Sequence, residues 1–134
     1  ATIGAVTVPV NTRFKADEMA YCLKQADVKL LFITDRFLKI DFIAMLRGIC
    51  PAVDRALPDP ALPLLQTVVV LGQDLPAGAT GFTDMLSRGA SLEEILPEEV
   101  KPDDVLLMQF TSGTTSHPKG VMLSHDNMLR NAFH

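Results

Sequence analysis

Two short apolar runs, Val105–Phe110 and Val121–Leu123, flank the polar stretch TSGTTSHPKG, Thr111–Gly120. No other feature restricts the fold as much. Each run suits a short strand, and the stretch between them, broken by Gly113, Pro118 and Gly120, can continue neither. A strand over Val105–Phe110, a loop and a return strand over Gly120–Leu123 are therefore expected. Ser124 is placed to cap a helix beginning at His125.

Upstream, Ile3–Val10 is rich in β-branched residues and reads as a strand. Met19, Cys22, Leu23 and Ala26 recur on one helical face within Ala16–Ala26, and Asp17 and Glu18 in its first turn suit the helix dipole. Lys29–Thr34 is a short apolar strand, so residues 1–34 read as a βαβ unit with a parallel pair. Asp35 is placed to cap a helix over Arg36–Arg47, with Leu38, Phe42, Leu46 and Ile49 on one face and Gly48 and Pro51 ending it. Pro51, Pro58, Pro60 and Pro63 mark residues 51–66 as a surface connection. Thr67–Leu71, TVVVL, is continuously apolar, as a strand buried on both faces of a parallel sheet would be. Gly72–Gly81 reads as a loop, Phe82–Ser87 as a short helix, and Ser91 with Glu94 as a capping box for a helix through Leu96. The fold class expected is α/β: a mostly parallel sheet with flanking helices, plus the hairpin. The organisation expected is 1–50 as the βαβ unit and following helix, 51–66 as connection, and 67–134 as strand, short helices and hairpin.

Composition excludes several classes. A chain of 134 residues is about one domain and can bury a core. Net charge is −4 with Lys and Arg scattered, which argues against nucleic acid as a partner. Cys22 and Cys50 lie in unrelated contexts with no CxxC pair, so reduced buried thiols are expected and no metal site is. The apolar stretches are too short for a transmembrane segment, and Ala1–Val10 lacks a signal peptide's charged start, which points to the cytoplasm. The chain opens without Met and stops at His134 soon after a helix begins, so it reads as a piece of a longer protein.

The loop suits a polyanion, most simply the phosphates of a nucleotide. Gly113 and Gly120 permit close backbone approach and φ > 0. Thr111, Ser112, Thr114, Thr115 and Ser116 offer hydroxyl donors, and Lys119 a fixed cation. Each charge-assisted hydrogen bond contributes about 1.5–3 kcal/mol, so three or four outweigh the ordering of a short loop. The GxxxxGK[ST] pattern is not met, because Pro118 and Gly120 stand where it needs glycine and a hydroxyl residue. The same composition also suits a hydroxyl-rich loop that holds no ligand.

TSGTTSHPKG followed by VMLSHDNML resembles the phosphate-loop signature of the adenylate-forming (AMP-binding) superfamily, whose pattern is close to [ST]SG[ST]TGxPKG. VPVNTRFKADEMAYCLKQADVKLLF resembles that family's early βαβ unit. The Ser-Gly-Thr-Thr wording is most similar to acyl-CoA synthetases. The resemblance implies an incomplete piece of a larger adenylating domain. It implies that Thr111, Ser112, Gly113, Thr114, Thr115, Ser116, Lys119 and Gly120 hold ATP phosphates, with magnesium accompanying the nucleotide. A carboxylic acid, fatty acids foremost, would then be activated to an acyl-adenylate and passed to CoA. Lys119 would be catalytic, neutralising charge as pyrophosphate departs, and His125 would lie near the acyl or adenylate pocket. The family's adenine-contacting motif, ribose-binding aspartate and late lysine lie in the remainder of a longer chain, so the piece alone is not expected to be active. Ser116 replaces the family's glycine; if that position needs φ > 0, serine costs roughly 1 kcal/mol or more.

Other residues have blander readings. His117 is expected in solvent, Glu93, Glu94, Glu98 and Glu99 on a solvated face, and Met122, Met128, Leu129 and Phe133 in the core. Two other functions fit the same residues: an amino-acid-activating adenylation domain of a peptide synthetase, and a non-catalytic module that keeps the fold.

Overall fold

A computed structural model describes residues 3–90, 99–111 and 118–133. The chain forms two compact units, one from Lys15–Glu93 and the other from the two ends, Ala1–Phe14 and Glu94–His134.

The Lys15–Glu93 unit is α/β. Helix α1, Ala16–Gln25, starts where the Glu18 carboxylate accepts the Lys15 N–H at 2.9 Å, and it buries Met19, Cys22 and Leu23. Strand β1, Leu30–Thr34, follows. The next segment departs from the expected helix over Arg36–Arg47. Arg36–Phe37 (β2) and Ile40–Asp41 (β3) pair as a tight antiparallel hairpin, with Leu38 at its tip at φ 55° and 87% exposed. Helix α2 spans Phe42–Ile49, and its cap is Asp41, whose carboxylate accepts the Ala44 N–H at 2.8 Å. Leu38 therefore lies outside the helix, and α2 buries Phe42, Ile43 and Leu46. Asp35 has a different task. Its carboxylate accepts N–H groups of Arg36 at 2.6 Å and Gln73 at 2.7 Å, and this lowers its pKa, the Gln73 bond most of all.

Residues 51–66 are more than a surface connection. Pro51–Asp54 is a 3-10 turn, and Val53, Leu62 and Leu65 are buried. Strand β4, Thr67–Leu71, matches its expected bounds and buries Val68, Val69 and Val70 in succession, because it lies between two parallel neighbours. Those neighbours are β1, in register Leu30↔Thr67 to Thr34↔Leu71, and the short β5, Thr80–Gly81, inside the segment expected to be all loop. Each buried Val contributes about 1.5–3 kcal/mol. Helix α3, Phe82–Gly89, lays Phe82 edge-on to Phe32 of β1, ring centroids 6.5 Å apart. Arg47 forks to Asp54 and to Asp74 at 3.0–3.1 Å, tying α2, the 3-10 turn and the loop after β4.

In the unit built from the chain ends, strand β6 is Val105–Thr111, strand β7 is Lys119–Ser124 and helix α4 is His125–Ala132. The expected strand over Ile3–Val10 reduces to one parallel bridge. Thr7 donates to the Leu106 carbonyl and accepts from the Met108 N–H, both at 2.9 Å. The stretch is mostly exposed, so its β-branched residues lack the cross-strand packing that makes such sequences strands. The expected parallel pair between Ile3–Val10 and Lys29–Thr34 is thus replaced: β1 pairs with β4, while Thr7 lies along β6. Met122, Met128, Leu129 and Phe133, expected in the core, are 36–87% exposed. The helix expected over Ser91–Leu96, with Glu93, Glu94 and Glu98, falls wholly or partly outside the described residues; Glu99 is exposed.

Candidate phosphate-binding site

The site is built on the β6–β7 hairpin. Its register is Leu107↔Leu123, Met108↔Met122, Gln109↔Val121, Phe110↔Gly120 and Thr111↔Lys119. Directly opposed residues share a face, and faces alternate along each strand. Thr111 and Lys119 therefore lie side by side at the hairpin mouth, with Gln109 and Val121 behind them. Phe110, Gly120, Met108 and Met122 occupy the other face. Thr111 and Lys119 are both exposed, whereas Pro118, just inside the mouth, is buried and fixes the chain's entry into β7. Residues 112–117, holding Ser112, Gly113, Thr114, Thr115, Ser116 and His117, lie outside the described residues.

Gly120 was expected to use φ > 0, but it sits in extended strand. Its need for glycine comes from crowding. An added Cβ would stand 3.2 Å from Met108 Sδ and 3.4 Å from both Met108 Cγ and Phe110 Cε1. Met108 and Phe110 are the residues that sequence reasoning missed. The signal was available once Thr111 is paired with Lys119, because an aromatic then falls opposite a strand glycine, a recognised cross-strand pairing.

The hairpin's far end is anchored by polar bonds. Ser124 Oγ accepts the Asn127 N–H at 3.2 Å while Asn127 Oδ1 accepts the Ser124 N–H at 3.1 Å, a capping box for α4 as expected at Ser124. His125 N–H donates to the Asp104 carbonyl at 3.1 Å and Asp126 N–H to that of Pro102 at 2.9 Å. The Asp126 carboxylate pairs with Arg130 at 2.6 Å and raises its pKa. His125 thus stands at the opposite end of β7 from Lys119, about 20 Å away at strand rise. The structure does not bring these two candidates together. Lys119 stands at the mouth, while the base carries Asp103, Asp104 and Asp126 together with Lys101 and Arg130.

Among the described residues no cluster of three His, Cys, Asp or Glu is close enough to hold a metal ion, and no helix is long and apolar enough to cross a membrane. The hairpin mouth offers, among the described residues, the Thr111 hydroxyl and the Lys119 ammonium. Such donors meet phosphate oxygens rather than a metal ion, and magnesium commonly arrives on substrate phosphates.

Comparison with known proteins identifies the family of the chain. The AMP-binding enzyme family model matches residues 1–134. The chain is 37% identical to YngI of Bacillus subtilis (strain 168), covering 98% of this chain and 26% of that protein. It is 34% identical to the mitochondrial medium-chain acyl-CoA ligase ACSF2 of Macaca fascicularis, covering 98% of this chain and 23% of the relative. Among solved structures, the anthranilate CoA ligase AuaEII in complex with anthranoyl-AMP superposes with a TM-score of 0.74 at 25% identity, over 98% of this chain and 22% of that one. The chain spans about a quarter of the length of the curated relatives it matches. A family match over its whole length, on a fold whose hairpin presents Thr111 beside Lys119, identifies this chain as a member of the AMP-binding enzyme family.

Proposed function

We propose that this chain is part of the N-terminal adenylation domain of an AMP-forming acid–thiol ligase and that it grips the triphosphate of ATP. A substrate carboxylate oxygen attacks the α-phosphorus, the bond to the β-phosphate oxygen breaks, and pyrophosphate leaves. The thiol of CoA then takes the acyl group from the adenylate and AMP departs. The observation that carries the reading is the pairing of Thr111 with Lys119 across the mouth of a hairpin in a chain that the AMP-binding enzyme family matches over its whole length. Thr111, Ser112, Gly113, Thr114, Thr115, Ser116 and Gly120 bind the phosphates. Lys119 neutralises the charge that builds as pyrophosphate separates. Magnesium, bound with the nucleotide, supplies further neutralisation of the triphosphate. Relatives named for medium-chain acyl groups favour a fatty acid as substrate. His125, remote from Lys119, belongs to the acyl side of the site. The chain alone is inactive, since the adenine and ribose contacts, and acyl contacts besides His125, come from the remainder of its own protein.

The test is carboxylate-dependent ATP–pyrophosphate exchange in the full-length protein over a panel of fatty, aromatic and amino acids. Fatty-acid-dependent exchange is expected, with Lys119→Ala lowering it about 10²–10³-fold, the loss typical of one transition-state donor. His125→Ala should raise KM for the acid while leaving KM for ATP unchanged. Unaltered exchange in Lys119→Ala would remove the lysine from its role. Exchange only with amino acids would point to a peptide-synthetase domain, and none with any acid to a module without catalysis.

A further inference from the structure

We infer that Gly120 is a positioning residue, which places Lys119 through packing against Met108 and Phe110 and makes no phosphate contact through its Cα. This changes Gly120's role within the proposed phosphate site and rests on that reading for its activity readout. The two faces of the hairpin carry the argument. Lys119 and Thr111 share one face; the hydrogen that a side chain would replace at Gly120 points to the other, toward Met108 and Phe110. A Cβ there meets Met108 Sδ at 3.2 Å, tighter than an ordinary contact, and Phe110 Cε1 at 3.4 Å, the near limit of one. Phe110 is 7% exposed and has little room to yield. In the inferred case strand β7 lifts from β6 by a few tenths of an ångström; were Met108 to turn aside instead, Gly120→Ala would cost nothing. Lys119 is joined to Gly120 by one peptide and moves with it, while Thr111 on β6 does not. The mouth opens between the cation and the hydroxyl that face each other across it. A glycine lining a phosphate would make the opposite prediction, because its Cβ would exclude the ligand wherever Met108 stood.

The experiment is a four-member cycle in the full-length protein: wild type, Gly120→Ala, Met108→Ala and the double variant. KM for ATP and kcat are measured in the exchange assay, with urea unfolding midpoints beside them. Gly120→Ala should cost about tenfold in kcat/KM for ATP, in line with sub-ångström misplacement of a catalytic group. In the Met108→Ala background, where Cγ and Sδ are gone, the same substitution should cost less than threefold. The unfolding midpoint should show the same coupling, Gly120→Ala lowering it only when Met108 is present. An equal activity loss in both backgrounds, or no loss in either, overturns the inference. Should the wild type show no exchange, the nucleotide reading fails by itself. The midpoints then decide the packing half, and absent coupling sinks it too.

Discussion

Replacing Asp59 with alanine should produce one of the larger single-residue stability losses outside the hydrophobic core. Asp59 is 8% exposed. One carboxylate oxygen accepts the Ala52 N–H at 2.9 Å and the other the Ala61 N–H at 2.8 Å. The side chain thereby clamps the start of the 3-10 turn to the proline-rich segment, over buried Cys50, Val53 and Leu62. Two bonds to an ionised acceptor are at stake, each contributing about 1.5–3 kcal/mol. Ala61 is exposed and can recover water, whereas Ala52 is half-buried and recovers it less completely. The expected net loss is therefore about 2–3 kcal/mol, which at an m-value near 2 kcal/mol/M lowers the urea midpoint by about 1–1.5 M. Asn, which keeps the shape but one acceptor oxygen and no charge, should lose about half as much.

The pH dependence has a definite sign. The Ala61 bond first, then that of Ala52, hold the carboxyl below the usual range. A folded pKa below the unfolded one, about 3.9, means stabilisation that is fully present at neutral pH and lost as pH falls through the folded value. The gap between wild type and Asp59→Ala, read by circular dichroism in urea, should be widest at pH 7 and shrink toward pH 3. Equal midpoints at pH 7, or a gap unchanged in acid, would refute the reasoning.

Other outcomes follow from the same structure. Gly72→Ala puts a Cβ into the Asp35 carboxylate, so about 2 kcal/mol should be lost in urea unfolding, and less in an Asp35→Ala background where the obstruction is gone. Ser116→Gly restores the family residue. Relief of about 1 kcal/mol of strain should tighten ATP about fivefold by calorimetric titration of the full-length protein, and unchanged affinity would show that the position does not need φ > 0.

The features most legible in the sequence were those where local pattern and tertiary setting agree. TVVVL reads as a doubly buried strand and is one, because both of its parallel neighbours are present in the same unit. The hairpin was legible because Gly113 and Pro118 interrupt the stretch between the two apolar runs, although the strands extend further than expected, to Thr111 and from Lys119. Family membership was legible from that loop's wording, which packing does not alter. The start of α2 was not, since Asp35 and Asp41 are equally good caps locally. The choice fell to Asp41 because the Asp35 carboxylate is taken by backbone N–H groups more than thirty residues on, a contact invisible at short range. Ile3–Val10 misled because β-branched composition signals strand only where neighbours flank it, and Thr7 alone is bonded to β6. Met122 and Phe133 have apolar side chains without cover in their unit, at 64% and 87% exposure. Hydrophobicity states what a residue favours and leaves open which element supplies the contact.

The polarity of the hairpin has a consequence for how fast a nucleotide arrives. Lys119 at its mouth and the carboxylates at its base are separated by about 20 Å. At 0.01 M ionic strength the screening length is about 30 Å, and an approaching triphosphate feels the small net negative charge of the base as well as Lys119. At 0.15 M that length is about 8 Å; the base falls silent while the mouth, at close range, is still felt. With Lys101 and Arg130 offsetting two of the three basal charges, moderate salt should therefore slow nucleotide association only slightly, unlike the marked slowing seen when a strongly basic groove captures a polyanion.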